Sequence, residues 1–155
     1  YYQQVDLGFN YRMTELQAAL GLSQLDNLAD FVERRNQLAK RYDQAFIDTN
    51  IQVLTPDIDT LSAYHLYIVL LPNADRIKHR QTITKLRAEN IFAHVHYIPV
   101  HLQPYYQNLG FEQGQFTQAE EYYSRAISLP LFPLLKEGEQ DYVIKTFKDI
   151  IKAYL

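Results

Sequence analysis

The sequence predicts an α+β fold in which helices cover a small, mainly antiparallel sheet. Two runs rich in β-branched and aromatic residues, 64–71 and 91–97, predict strands, and helical patterns lie between and around them. Two helical patterns precede the first strand, so residues 1–50 are predicted to form a helical arm. With 155 residues and 47% hydrophobic content, the chain can bury its own core, and we interpret residues 1–155 as a single domain.

The first predicted helix covers residues 13–25, where apolar residues recur at helical spacing. Thr14 and Gln17 fit a capping box at its start, and Asn10 is a second candidate cap. The apolar positions of this helix are expected to be buried: Met13, Leu16, Ala18, Ala19 and Leu20. After a short break, a second helix is predicted to end near residue 48.

Strands and helices alternate along the rest of the chain. Strands are expected at residues 51–55, 64–71, 91–97 and 127–129, and helices at residues 76–89, 117–126 and 137–155, with a helical turn near 105–109. Asp75 is the predicted cap of the first of these helices, and Thr117 with Glu120 fits a capping box for the second. The helical residues expected to face the core are Ile77, Ile83, Leu86, Tyr142, Val143, Phe147, Ile150 and Ile151.

Composition excludes several classes of function. The net charge of −3 and the absence of a Lys/Arg run argue against nucleic-acid binding. The chain has no cysteine, so it forms no disulfide, Cys-based zinc site or thiol nucleophile, which fits a cytoplasmic protein. We find no apolar run of membrane-spanning length and no signal peptide. Because the sequence starts at Tyr1, without an initiator Met, we interpret it as a fragment.

Asn10 and Arg12 lie at or just before the predicted start of the first helix. A helix N-terminus carries partial positive charge and unpaired N–H groups, so it favours anions, phosphate above all. The guanidinium of Arg12 matches a phosphate or carboxylate in two-point contact. The alternative is structural: Asn10 only caps the helix, and Arg12 only pairs with a surface acid.

Three of the five histidines, His94, His96 and His101, fall within eight positions. On a strand, His94 and His96 would point to the same face and could hold a metal with a third ligand, although no His-Glu-x-x-His pattern supports this. A second interpretation is that His96 and Tyr97 end a strand and offer hydrogen-bond groups to a polar ligand. A third is that the rings are half-buried and bonded to the backbone. Pro99 favours an extended conformation at the residue before it.

Three segments resemble, in order, the DegT/DnrJ/EryC1/StrS family of aminotransferases. They are residues 8–25 (G-F-N-Y-R-M-T-E-L-Q-A-A-L-G-L-S-Q-L), 90–101 (N-I-F-A-H-V-H-Y-I-P-V-H) and 126–133 (A-I-S-L-P-L-F-P). Members use pyridoxal 5′-phosphate (PLP) and act on nucleotide-linked keto sugars. The resemblance covers essentially the whole chain but less than half of a full member. It implies the small C-terminal domain of a fold-type I PLP enzyme, without the large PLP-binding domain.

The resemblance also implies roles for individual residues. Asn10 would reach the PLP phosphate of the neighbouring subunit of a homodimer, and Arg12 would face the nucleotide sugar. His96 and Tyr97 would line the sugar-nucleotide site. His101 matches a second family histidine less securely, and His65 is expected to be structural rather than part of the site. We expect no metal ligands.

The lysine that bonds PLP lies upstream of the first motif in this family, so we predict no catalytic residue in this chain and an inactive fragment. The parent would transfer an amino group from glutamate to a nucleotide-linked keto sugar, as in polysaccharide biosynthesis. The His96-Tyr97 pair and residues 65–67 look closest to the 4-amino-sugar enzymes of pseudaminic acid synthesis. The alternatives are a dehydratase of the same family, with His replacing the PLP lysine, and an autonomous binding or dimerisation module.

Overall fold

The computed structural model describes residues 3–8, 12–73 and 75–152. Its sheet has three antiparallel strands in the order β1-β2-β3: β1 (Gln52–Val53), β2 (Tyr67–Leu70) and β3 (Ala126–Leu129). The central strand pairs with β3 in the register Val69 to Ile127. These strands are short and rich in β-branched residues, as expected for a small buried sheet. The predicted α+β class with a small antiparallel sheet is therefore confirmed.

The helices of the described residues are α1 (Glu15–Leu25), α2 (Leu28–Phe46), α3 (Arg76–Ala88), α4 (Pro104–Gln107), α5 (Thr117–Arg125) and α6 (Glu137–Lys152), with a 3₁₀ turn at Val100–Leu102. Asp75 caps α3 as predicted, because its carboxylate accepts the backbone N–H groups of Ile77 and Lys78 at 2.9 and 2.8 Å. The capping box of α1 is also confirmed: the Thr14 hydroxyl accepts the Gln17 N–H, and the Gln17 side chain accepts the Thr14 N–H.

The core lies between the sheet, α2 and α6. The Tyr42 ring stacks on that of Tyr67 at 4.7 Å between centroids, and Phe46 contacts Phe147 edge-on at 5.8 Å. The Tyr67 hydroxyl donates to the Asp43 carboxylate at 2.6 Å. Burial, together with this hydrogen bond, raises the pKa of Tyr67. Aromatic packing and a satisfied buried hydroxyl thus attach α2 to the sheet.

The apolar face of α1 is not buried. Within the described part of the chain, no residue of this helix is buried, and Leu16 is 85% exposed. The expectation of a buried stripe on this helix was therefore wrong for this chain. Helical spacing predicts which residues share a face, but it does not predict which surface covers that face.

Residues 91–97 do not form the predicted continuous strand. Only His94 pairs with the sheet, exchanging backbone hydrogen bonds with Ser128 at 3.1 and 2.8 Å. Just before it, the Ala93 N–H donates to the Ile91 carbonyl at 3.0 Å, so the backbone turns locally instead of extending the ladder. The segment is held beside β3 at one point and is otherwise irregular.

Thr117 is the first residue of α5 and not its cap. Phe116 occupies the cap position without a side-chain hydrogen bond, and the Glu120 carboxylate accepts hydrogen bonds from His101 and Gly114 instead. The predicted capping box at this helix was therefore wrong, because the Glu120 carboxylate is engaged by His101 and Gly114.

Two residues expected to face the core lie at the surface. Ile77 and Tyr142 are exposed, and the Tyr142 hydroxyl donates to the Glu89 carboxylate at 2.9 Å. The predictions for Val143, Phe147 and Ile151 of α6 are confirmed, because all three side chains are buried. No helix among the described residues is long and apolar enough to cross a membrane.

Candidate functional site

His96 is anchored by the sheet through its side chain. Its Nδ1 lies 2.8 Å from the Ser128 hydroxyl, and Ser128 is 6% exposed on β3. Partial burial, with smaller contributions from His94 and His65, lowers the pKa of His96, so the neutral ring is favoured near neutral pH. A neutral ring whose Nδ1 accepts a hydrogen bond carries its proton on Nε2. The Ser128 contact thus holds the ring and can select its tautomer.

Tyr97 stands beside this histidine at the surface. The two rings are nearly perpendicular, with centroids 4.6 Å apart, and Tyr97 is 58% exposed. A phenol can act as both a hydrogen-bond donor and an acceptor. The structure therefore places the rings of His96 and Tyr97 side by side.

His101 has a structural environment. It is 7% exposed, its Nε2 lies 2.8 Å from a Glu120 carboxylate oxygen, and its ring packs 4.7 Å from that of Phe116. The hydrogen bonds from His101 and from the Gly114 N–H lower the pKa of Glu120. Of the three clustered histidines, this one is buried and connects the 3₁₀ turn to α5.

His94 is exposed, with its ring centroid 5.9 Å from that of His96. Across residues 3–8, 12–73 and 75–152, no group of three or more His, Asp or Glu side chains has the geometry to hold a metal ion. A metal site needs such a group, so the metal interpretation finds no support among these residues.

Arg12 is exposed and has a positive φ of 73°, so the backbone turns sharply just before α1. Among the described residues, no hydrogen bond or ion pair joins Arg12 to His96. The predicted cofactor residue Asn10 lies outside the described residues. The structure thus brings His96 and Tyr97 together, and it shows Arg12 as an exposed cation just before α1.

Two features of the site were missed by sequence reasoning. Ser128 belongs to the third family-like segment, but only the tertiary contact shows that it holds His96. The second feature is a groove of about 1520 Å³ between α3 and the His94 side of the loop. Its basic residues are Arg76, His79, Arg80, Lys85, Arg87 and His94. The spacing of Lys and Arg along α3, with no acid between them, was the available signal.

This fold is shared with aminotransferases of known structure. A Streptococcus pneumoniae protein assigned as a sugar aminotransferase, solved in its PLP form, superimposes with a TM-score of 0.87 and 35% identity. The match covers 92% of this chain and 37% of that one. The Helicobacter pylori aminotransferase PseC, involved in pseudaminic acid biosynthesis, gives a TM-score of 0.81 and 29% identity over 96% of this chain and 40% of that one.

The chain belongs to the DegT/DnrJ/EryC1/StrS aminotransferase family, whose family model matches residues 1–148. Among curated relatives, the spore coat polysaccharide biosynthesis protein SpsC of Bacillus subtilis is 40% identical over 158 aligned residues. That alignment covers 99% of this chain and 40% of the relative. The chain therefore spans about two fifths of the length of the relatives it matches, and the resemblance stated from its three motifs is confirmed.

Proposed function

We propose that the parent protein is a PLP-dependent homodimeric aminotransferase that moves an amino group from glutamate to a nucleotide-linked keto sugar. This chain would be its C-terminal domain, with residues 1–50 as a helical arm. Family membership supports the reaction class, and the His96–Tyr97 pair on its Ser128 support is the observation in this structure that carries a substrate role.

His96 and Tyr97 are proposed to bind the oxygens of the nucleotide sugar. If the Ser128 hydroxyl donates to Nδ1 of His96, the ring carries its proton on Nε2 and offers a neutral donor. Among the described residues, Nε2 of His96 makes no hydrogen bond, so it is available to a phosphate or sugar oxygen. Tyr97, which is 58% exposed beside this ring, would contact a neighbouring oxygen. Two such donors fix orientation, which lowers the entropic cost of reaching the reactive geometry.

The residues present fit the periphery of a PLP site. His96, Tyr97 and Arg12 carry side-chain donors suited to phosphate and sugar oxygens. When bound, PLP supplies the electron sink for amino transfer. Its bonding lysine is proposed to come from the rest of the parent, and Asn10 is proposed to contact the cofactor phosphate of the neighbouring subunit.

Arg12 is proposed to bind the nucleotide or sugar side of the substrate across the dimer. Its exposure and the sharp turn at its backbone place a permanent cation at the surface next to the exposed apolar face of α1. A cation beside a surface that another subunit covers can contribute to a site shared between subunits.

The direct test uses the full-length parent with PLP, L-glutamate and a UDP-linked 4-keto sugar, the substrate type suggested by the transaminase relative from Helicobacter pylori. Formation of 2-oxoglutarate together with an aminated sugar supports the proposal. Loss of water from the sugar without 2-oxoglutarate would redirect the assignment to a dehydratase. A stable dimer that retains neither PLP nor nucleotide sugar would favour the dimerisation module.

The role of Arg12 is tested in the same assay. Arg12→Ala is expected to raise KM for the nucleotide sugar, because it removes a charged contact to the substrate. Lys145→Ala, on the exposed side of α6, removes a positive charge outside the site and the groove and is expected to leave KM unchanged. Equal KM values for the two variants would remove Arg12 from the site.

A further inference from the structure

The segment before α1 is hydrogen-bonded to the loop after the His96–Tyr97 pair. The Gln4 backbone N–H donates to Oε1 of Gln103 at 3.0 Å, and the Tyr105 N–H donates to the Gln4 carbonyl at 2.9 Å. Both backbone groups of Gln4 are therefore used by one short stretch, Gln103 and the first turn of α4. Among the described residues, these are the hydrogen bonds that join residues 3–8 to the rest of the chain.

Gln103 is well placed to act as a fixed support. It is 6% exposed, and its own N–H donates to the Val100 carbonyl at 3.0 Å, closing the 3₁₀ turn. Two residues earlier, His101 is held by Glu120. A buried side chain on a loop fixed at both of these points loses little conformational freedom when it forms a further hydrogen bond.

The two joined segments carry the two parts of the proposed site. Gln4 precedes Asn10 and Arg12 in the chain, and Gln103 follows His96 and Tyr97. We propose that Gln103 is a positioning residue: by binding the Gln4 N–H, it fixes residues 3–8, which precede Arg12 in the sequence, relative to the loop that presents His96 and Tyr97. This inference rests on the proposed function, since it assumes that both segments contact the nucleotide sugar.

Only the acceptor oxygen of Gln103 takes part in this contact, which makes the inference testable. Gln103→Met keeps the length and shape of the side chain but removes the strong acceptor, whereas Gln103→Glu keeps an acceptor at the same distance. Losing a hydrogen bond of this kind is expected to raise KM for the nucleotide sugar roughly threefold to tenfold. The Glu variant is expected to restore most of this loss.

The experiment compares these variants in the full-length parent by steady-state kinetics and by hydrogen exchange of the amides in residues 3–8. Gln103→Met should raise KM with little change in kcat and should speed exchange at Gln4. Gln140→Met is the matched control, because Gln140 is also a buried glutamine bonded to the backbone, at Leu38, away from both segments. It should lower the melting temperature without raising KM or speeding exchange at Gln4.

The outcomes separate this inference from the proposed function. If Arg12→Ala raises KM while Gln103→Met changes neither KM nor the exchange of Gln4, the positioning role is overturned and the substrate site stands. If Gln103→Met and Gln140→Met raise KM equally, the effect is general destabilisation, and the positioning role is likewise overturned. If exchange at Gln4 rises but no variant at Arg12 or Gln103 alters KM, the positioning role fails together with the substrate site.

Discussion

Nδ1 of His96 lies 2.8 Å from the hydroxyl of Ser128, a buried residue of β3 whose backbone also pairs with His94. One strand residue therefore fixes both the path of the loop and the orientation of an imidazole at its surface. A hydrogen bond to one ring nitrogen decides which nitrogen carries the proton. It therefore also decides whether the other nitrogen donates to a ligand or accepts from it.

Removing the hydroxyl should affect substrate binding more than folding. In the parent enzyme, Ser128→Ala is expected to raise KM for the nucleotide sugar roughly threefold to tenfold, because the His96 ring loses its orienting partner. Ser124→Ala removes a hydroxyl that bonds the backbone of α5 and should leave KM unchanged. Nitrogen NMR of the imidazoles should show a shift in the His96 tautomer only in the first variant. An unaltered tautomer and KM would contradict the orienting role.

Stability should depend on pH through two histidines. Burial lowers the pKa of His79 and of His96 below the ordinary value of 6.5. The unfolded chain therefore binds protons first as the pH falls, so the free energy of unfolding should decrease between about pH 7.5 and about pH 5.5. The stability contributed by the two neutral histidines is fully present above the pKa that they have in the unfolded chain, and it is lost as the pH falls below that value.

His79 can be isolated from this effect. Its Nε2 lies 2.8 Å from the Ala126 carbonyl, and a glutamine amide can donate to the same oxygen without titrating. Urea unfolding of His79→Gln at the two pH values should show a smaller pH difference than the wild type. An identical pH difference would mean that another group causes the dependence.

The contact between His101 and Glu120 should contribute to stability rather than to binding. Glu120→Gln is expected to lower the melting temperature, because the carboxylate accepts from both His101 and the Gly114 N–H. Glu121→Gln, one residue along, breaks only an exposed pair with Arg125 and should have a much smaller effect. Thermal unfolding of the two variants measures the difference, and equal melting temperatures would rule out a special role for Glu120.

The exposed face of α1 should be an interface of the assembled parent. Leu16→Glu combined with Leu20→Glu is expected to shift the parent from dimer toward monomer, because charges would replace apolar side chains at the contact. Ile58→Glu with Leu61→Glu makes the same change at exposed apolar residues elsewhere and should leave the assembly intact. Sedimentation equilibrium measures both, and a dimer of unchanged affinity in the first variant would remove this helix from the interface.

Local chemistry made several elements predictable from sequence. Asp75 before α3 and the pair Thr14–Gln17 at α1 satisfy helix amides within a few residues of themselves, so no distant contact was needed to foresee them. The capping box predicted for Thr117 and Glu120 did not form, because the Glu120 carboxylate accepts hydrogen bonds from His101 and Gly114 instead.

The sequence by itself determined the fold class, most helix starts, the family and the residues worth examining, because periodicity, caps and motif order are local properties of a chain. Only the tertiary structure decided which histidine is structural and which is held toward solvent. His101 and His96 have the same side chain, and their roles differ because Glu120 and Ser128 approach them from distant parts of the sequence. Burial and hydrogen-bond partners across such separations are set by packing, which no local pattern encodes.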